Sequence, residues 1–164
     1  MVVDFDQELR LIITEDVITE LLKHKQTRSS NESGGVLLGK KDINDNTYYI
    51  TNISRPSKFD ISSLFSFVRS KDSAQRIINK SWQESGGVIN YLGEWHTHCE
   101  ITPSPSQTDK RLVKQIFKDQ SNSFNHYFMI ILGSEGSLFI GAIDSTRGDG
   151  FLYSKNIEEI DKYA

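Results

Sequence analysis

One cysteine and three prolines stand among the 164 residues, and basic charge is not in excess. The lone thiol, Cys99, excludes an intramolecular disulfide and suits a reducing compartment. The longest apolar run, Tyr127 to Leu132, is far too short for a bilayer-spanning helix. Met1-Val2-Val3-Asp4-Phe5-Asp6 has neither the basic nor the apolar region of a secretory signal, so the expected location is cytoplasmic. A net charge of −3 argues against nucleic acid as the main partner, because phosphate binding needs a basic surface. The pairs Lys40-Lys41 and Lys110-Arg111 read as solvated faces. What remains, with 37% hydrophobic and 25% charged residues, is the composition of an ordinary globular chain. Its length suits one domain over 1–164, with a single core.

The chain alternates short β-rich runs with helical patterns and has no low-complexity linker. Leu9 to Ile13 reads as a strand. Thr14 is placed to cap a helix whose stripe is Val17, Ile18, Leu21 and Leu22, ended by the polar stretch Gln26 to Asn31. Val36-Leu37-Leu38 and Thr47 to Ile53 form a hairpin about Asn44-Asp45-Asn46. Arg55 to Ser63 is expected to be irregular. Ala74, Ile77, Ile78 and Trp82 mark a second helix, stopped near Gly86-Gly87. Val88 to His98 is the next strand region, and Thr102 to Pro105 a proline-braked loop. Leu112, Val113, Ile116 and Phe117 mark a third helix. Tyr127 to Leu132 and Leu138 to Ile143 close the pattern as a hairpin across Gly133 to Ser137, and the tail from Phe151 is ambiguous. The expected class is α+β, a mixed sheet flanked by about three helices.

Within this pattern, Gly93-Glu94-Trp95-His96-Thr97-His98 is followed by Ser106 and Asp109, a His-x-His-x7-Ser-x2-Asp array. Alternate strand side chains share a face, and residues i and i+2 are about 6.6 Å apart along the backbone. His96 and His98 therefore point the same way and can converge on one ion, while Thr97 faces the other side. Two exposed strand histidines would be the plainer explanation. Ser106, after Pro105, opens the third helix with Asp109 on the same face, which by itself is a capping arrangement. Its place one short loop after His-x-His brings that helix start back toward the histidines. Three protein ligands with an open fourth position make a hydrolytic zinc centre rather than a structural one.

Such a site needs a base for the water's proton. Glu-Ser-Gly-Gly-Val occurs twice, at Glu32 to Val36 and Glu84 to Val88. Glu32 stands at the mouth of a buried strand whose glycines permit close backbone approach, and is assigned as the base. Glu84 ends a helix and is taken as a solvated side chain. Glu94 should share the histidines' face, displaced from the metal. Cys99 is expected to be a bystander. Phe59, Phe65 and Phe67 are expected to form a satellite core cluster, with a lining role in a substrate groove as the alternative.

Taken together, Glu32, His96, His98, Ser106 and Asp109 resemble the JAMM (MPN-plus, JAB-type) zinc metalloprotease family. Its pattern is Glu, a long gap, then His-[Ser/Thr]-His-x7-Ser-x2-Asp. Glu32-Ser33-Gly34-Gly35-Val36-Leu37-Leu38-Gly39 also resembles the family's Glu-x-x-Gly segment before an apolar run. Cys99 stands where the family often has proline, which removes no catalytic group. The resemblance implies a cytidine-deaminase-like architecture and one zinc ion held by His96, His98 and Asp109. It makes Glu32 the proton carrier and Ser106 the hydrogen-bond donor to the oxyanion, worth roughly 3–4 kcal/mol in such sites.

The chain is most similar to the stand-alone bacterial branch that accompanies E1- and E2-like conjugating proteins. In type II CBASS anti-phage systems, members of that branch release a cGAS-like nucleotidyltransferase from proteins joined to its C-terminal tail. The implied substrate is a protein with an extended C-terminal tail, and neither nucleic acid nor membrane is expected as a partner. Deconjugation or precursor trimming of a ubiquitin-like or sulfur-carrier protein is the alternative. A non-catalytic MPN scaffold is a further one, and commonly lacks one or more of the ligands found here.

Overall fold

The computed structural model describes residues 1–6, 9–27, 30–64, 66–116, 124–145, 150–158 and 160. Its elements, in chain order, are β1 (Val2–Asp4), β2 (Arg10–Ile13), α1 (Glu15–Leu22), β3 (Gly34–Lys41), β4 (Thr47–Ile53), β5 (Ile61–Ser63) and β6 (Ser66–Val68). They continue as α2 (Lys71–Glu84), β7 (Asn90–Thr97), α3 (Gln107–Ile116), β8 (His126–Leu132), β9 (Leu138–Asp144) and β10 (Tyr153–Ile157). Eight strands make one sheet in the order β1-β2-β4-β3-β7-β8-β9-β10. The β2–β4 and β7–β8 pairs are parallel and the others antiparallel, so the sheet is mixed, as the α+β expectation had it.

β8 shows why its sequence is a continuous apolar run rather than an alternating one. Phe128, Ile130 and Leu132 enter a core with Val17, Ile18 and Leu21 of α1. Met129 and Ile131 enter a second core with Val113 of α3. A strand buried on both faces has no position left for a polar residue. α2 covers the neighbouring part of the second face, where Ala74 packs on Val36 and Leu38. Each fully buried large side chain contributes about 1.5–3 kcal/mol of hydrophobic stabilisation.

Along β7 the facing changes partway. Leu92 and Trp95 belong to the α1-side core, whereas Tyr91 packs on the side of α2 and α3. The register against β3 shifts there, and Gly93 takes φ +139°. A Cβ at Gly93 would run into the Phe128 backbone, so the bulge needs glycine. Beyond the bulge, the odd-numbered Trp95 and Thr97 face α1, and Glu94 and His96 face the helices of the functional site.

Several elements differ from expectation. β1 and β10 add two edge strands, and Ile61–Ser63, at the end of the segment expected to be irregular, pairs with Ser66–Val68 as a separate small sheet. Runs of three residues are too short to display a period. Thr14 does precede α1 in extended conformation, but its hydroxyl makes no cap bond and is buried without a hydrogen-bond partner. Glu15 and Asp16 in the first turn complement the helix terminus instead. Ser70 caps α2 by accepting from the Ser73 N–H at 3.4 Å. Trp82, expected on the buried stripe of α2, is 47% exposed. Phe117 and Phe65 lie outside the described residues. Among the described residues, no helix is long and apolar enough to cross a membrane.

Candidate active site

Three segments meet at the C-terminal end of β7: that strand, the start of α3, and the loop entering β3. After β7, the His98 N–H donates to Leu132 O at 2.9 Å, which carries the extended path beyond the strand. The Ser134 N–H donates to Glu100 O at 2.9 Å, and the Ser137 hydroxyl to Ile101 O. The Ser104 N–H reaches the Glu100 carboxylate at 3.2 Å. These bonds pin the short loop to the β8–β9 turn, so that α3 begins beside the histidines.

The imidazoles of His96 and His98 lie with centroids 5.0 Å apart. Asp109 Oδ1 is 3.2 Å from His96 Nε2, and Asp109 Oδ2 is 3.4 Å from His98 Nε2. One candidate ligand atom from each residue lies within 4.8 Å of the others, and all three residues are buried. Ligands about 2.1 Å from a tetrahedral ion sit roughly 3.4 Å from each other, and the two His–Asp contacts are of that size. The contact from His96 Nε2 to Asp109 does not have hydrogen-bond geometry, and this buried nitrogen has no hydrogen-bond partner. Beside Asp109 and His98, a buried imidazole nitrogen in that state is available as a ligand. The three residues can hold a metal ion.

Capping and ligand geometry coexist at Asp109. The Ser106 N–H donates to Asp109 Oδ2 at 2.7 Å, and the Asp109 N–H donates to Ser106 Oγ at 3.2 Å. This reciprocal box orients the carboxylate toward the imidazoles and leaves the Ser106 side chain at an exposed helix start. Electrostatics follow the packing. Burial would raise the Asp109 carboxyl, but the two histidines and the Ser106 contact hold it far below the usual carboxylate range. Burial would lower His98, and Asp109 outweighs it and keeps His98 above an ordinary histidine.

Glu32 is 8% exposed and precedes β3. Burial lifts its carboxyl above the usual range, against the opposing pull of His98 and His96. Its N–H donates to Ser63 O of β5 at 2.8 Å. The following Ser33 exchanges two bonds with Thr97: Ser33 N–H to Thr97 Oγ1 at 3.0 Å, and Thr97 N–H to Ser33 O at 2.9 Å. Thr97, the residue between the two histidines, thus fastens the Glu32 segment from the opposite face of the strand.

The remaining residues singled out in the sequence divide clearly. Glu94 is occupied by Arg69 in a two-point ion pair, with Nε at 3.2 Å and Nη2 at 2.5 Å. Glu84 is exposed and pairs with Lys80 at 3.7 Å. Cys99 is a free, half-buried thiol. Phe59 is 60% exposed and so is no member of a core cluster, and Phe67 is half-buried over Gly34. Gln26, Arg69 and Thr97 were not legible as site neighbours. Their partners are 25 to 71 residues away in sequence, a distance at which one chain carries no local signal.

Residues 14–142 match the family described as prokaryotic homologs of the JAB domain. The chain belongs to that family. Its relatives include a CD-NTase/cGAS isopeptidase of Escherichia coli, 38% identical over 107 residues, a match spanning 65% of this chain and 66% of the relative. A protein of the same name from Vibrio cholerae is 33% identical over 118 residues, covering 71% of this chain and 74% of its own length. A probable metalloprotease of Sinorhizobium fredii is 29% identical over 121 residues, 73% of each chain. Among solved structures, a Desulfitobacterium hafniense protein studied in solution superposes with a TM-score of 0.57 over 92% of this chain and 91% of that one. At 20% identity that likeness concerns the fold. Membership in the JAB family agrees with the resemblance drawn from Glu32, His96, His98, Ser106 and Asp109.

Proposed function

We propose that this JAB-family chain is a zinc-dependent isopeptidase. It cleaves after the C-terminal tail of a conjugated protein and releases a cGAS-like nucleotidyltransferase from its targets in a CBASS anti-phage system. The observation that carries the reading is the convergence of His96, His98 and Asp109 beside a buried Glu32, in a chain whose relatives bear isopeptidase and metalloprotease names.

His96, His98 and Asp109 would hold zinc, which supplies Lewis acidity toward the scissile carbonyl and toward water. Glu32, with its raised affinity for a proton, takes the proton of the attacking water and returns it to the leaving amine. The Ser106 hydroxyl, already at the positive end of α3, donates to the oxygen on which charge develops. Asp109 contributes twice, as ligand and as the residue that fixes Ser106 through the capping box. A tail reaching this point passes beside the β5–β6 hairpin and must be extended. The conjugate itself is made by an E1/E2-like protein acting alongside this chain.

The test pairs metal analysis with two substrates: a lysine-linked conjugate of a cGAS-like C-terminal tail, and the same tail in a linear fusion. About one zinc per chain and faster cleavage of the lysine-linked conjugate support the reading. Zinc-loaded protein that cuts only the linear fusion would make it a precursor-processing peptidase.

A further inference from the structure

Glu94 is a buried carboxylate that the chemistry above does not use. Its side chain is 5% exposed and accepts from Arg69 at two points and from the Tyr91 hydroxyl at 3.2 Å. Arg69 directly follows β6. The base of the β5–β6 hairpin is closed there by Asp60, whose two oxygens accept from the Ser70 N–H at 2.8 Å and the Ser57 N–H at 2.6 Å. Arg69 therefore ties the hairpin base to the histidine strand, two residues before His96.

The hairpin tip is tied to the same strand from the other face. Gln26, 2% exposed, donates through Nε2 to Leu64 O at 3.0 Å and to Ser30 O at 2.9 Å. Its Oε1 accepts from Thr97 Oγ1 at 3.4 Å. Between base and tip, the hairpin is stitched to the segment carrying Glu32. Ser63 O accepts the Glu32 N–H, and Ser62 O accepts from Asn31 Nδ2 at 3.2 Å.

A two-stranded unit with three-residue strands does not hold its own shape in water. Its outer pair, Ile61 at 74% and Val68 at 57% exposure, is largely open to solvent. Beside the bonds to the Glu32 segment and the packing of Phe67 over Gly34, two ties hold it to the histidine strand: a charge-assisted two-point pair at the base and a fully committed amide at the tip. The Glu32 N–H bond to Ser63 O makes the hairpin one of two holds on Glu32, the other being the exchange of bonds between Ser33 and Thr97.

We propose that Arg69–Glu94 and Gln26–Thr97 are two anchors that set the β5–β6 hairpin, and through it Glu32, against the metal ligands. Arg69, Glu94 and Gln26 are then positioning residues for the peptidase reaction, a role that rests on the function proposed above. Loss of a group that orients catalytic residues typically costs roughly 10- to 100-fold.

The test uses the full chain loaded with zinc and the variants Glu94→Gln and Gln26→Met. Amide hydrogen exchange in the hairpin should rise about tenfold or more in each variant, with β8 and β9 unchanged and zinc content retained. Cleavage of the tail conjugate should lose roughly 10- to 100-fold in kcat with KM little altered. Arg69→Lys, which keeps the charge but not the two-point geometry, should recover part of that loss, and it replaces Glu94→Gln if that variant does not fold. Unchanged hairpin exchange overturns the anchors. Faster exchange with an unchanged kcat overturns the positioning role. If wild-type protein cleaves no conjugate, the function reading fails, and hydrogen exchange alone still decides the anchors.

Discussion

The same five residues, Glu-Ser-Gly-Gly-Val, occur at 32–36 and at 84–88 and become two different objects. In the first copy Glu32 is buried, Gly34 and Gly35 pair in register with His96 and Trp95, and Val36 is fully buried. In the second, the Glu84 side chain is 67% exposed, Gly86 and Gly87 turn to φ +65° and +87°, and Val88 is 53% exposed. The local sequence permits both outcomes, because glycine accepts either backbone. The flanking residues decide between them: Leu37-Leu38 continues the first copy into the centre of a sheet, while the second stops a helix. A carboxylate acquires its chemistry from that placement: of the two copies, it is Glu32 that lies within reach of the fields of His96, His98 and Asp109.

The strongest way to break the contrast is at the carboxylates and their metal. Glu32→Gln should lower kcat by about 10²- to 10⁴-fold, the range for a general base, with zinc content unchanged by elemental analysis. Asp109→Ala should lose the metal itself, and with it the stabilisation that bound zinc gives in thermal melts. The glycines sharpen the comparison next. A Cβ at Gly35 would come within 2.6 Å of Ser54 O and 2.8 Å of Trp95 Nε1, wedging into the hydrogen bond between them. Gly35→Ala should cost roughly 1–3 kcal/mol by denaturant titration. Gly86→Ala meets open space but a left-handed backbone, and should cost about 1 kcal/mol.

Protons supply a graded test. The pKa of His98 is raised in the metal-free protein, so its pairing with Asp109 stabilises that protein below the ordinary histidine value of about 6.5. That contribution is lost as pH rises through the raised value. Zinc requires His98 deprotonated, so metal affinity should fall as pH drops, beginning above pH ~6.5. Melts with and without zinc across pH 5.5–8 should therefore show a zinc-induced gain that grows with pH. The smallest effect is expected at the second copy: Glu84→Gln should leave kcat/KM unchanged and shift stability by no more than about 0.5 kcal/mol.

Sequence pattern carried the centre of the fold and the grouping of His96, His98 and Asp109 because both are short-range. Alternation placed His96 and His98 on one face and Thr97 on the other, and the spacing to Ser106 and Asp109 spans one loop. The apolar period of α1 and the apolar runs of β8 and β9 are likewise local. The β5–β6 hairpin was missed because three-residue strands carry no period and the groups they bond to lie in other elements. Glu94 was placed on the correct face, but its partner Arg69 lies 25 residues earlier and nothing local points to it. Trp82 and Phe59 fit apolar patterns yet remain exposed, since a pattern states which face is apolar and not whether another element covers it.

The most direct measurement is cleavage of a conjugate carrying a cGAS-like C-terminal tail by wild-type protein and by Glu32→Gln, each with and without a zinc chelator. The account predicts cleavage by the untreated wild type alone. Cleavage that survives in zinc-loaded Glu32→Gln, or in wild-type protein stripped of metal, would contradict it.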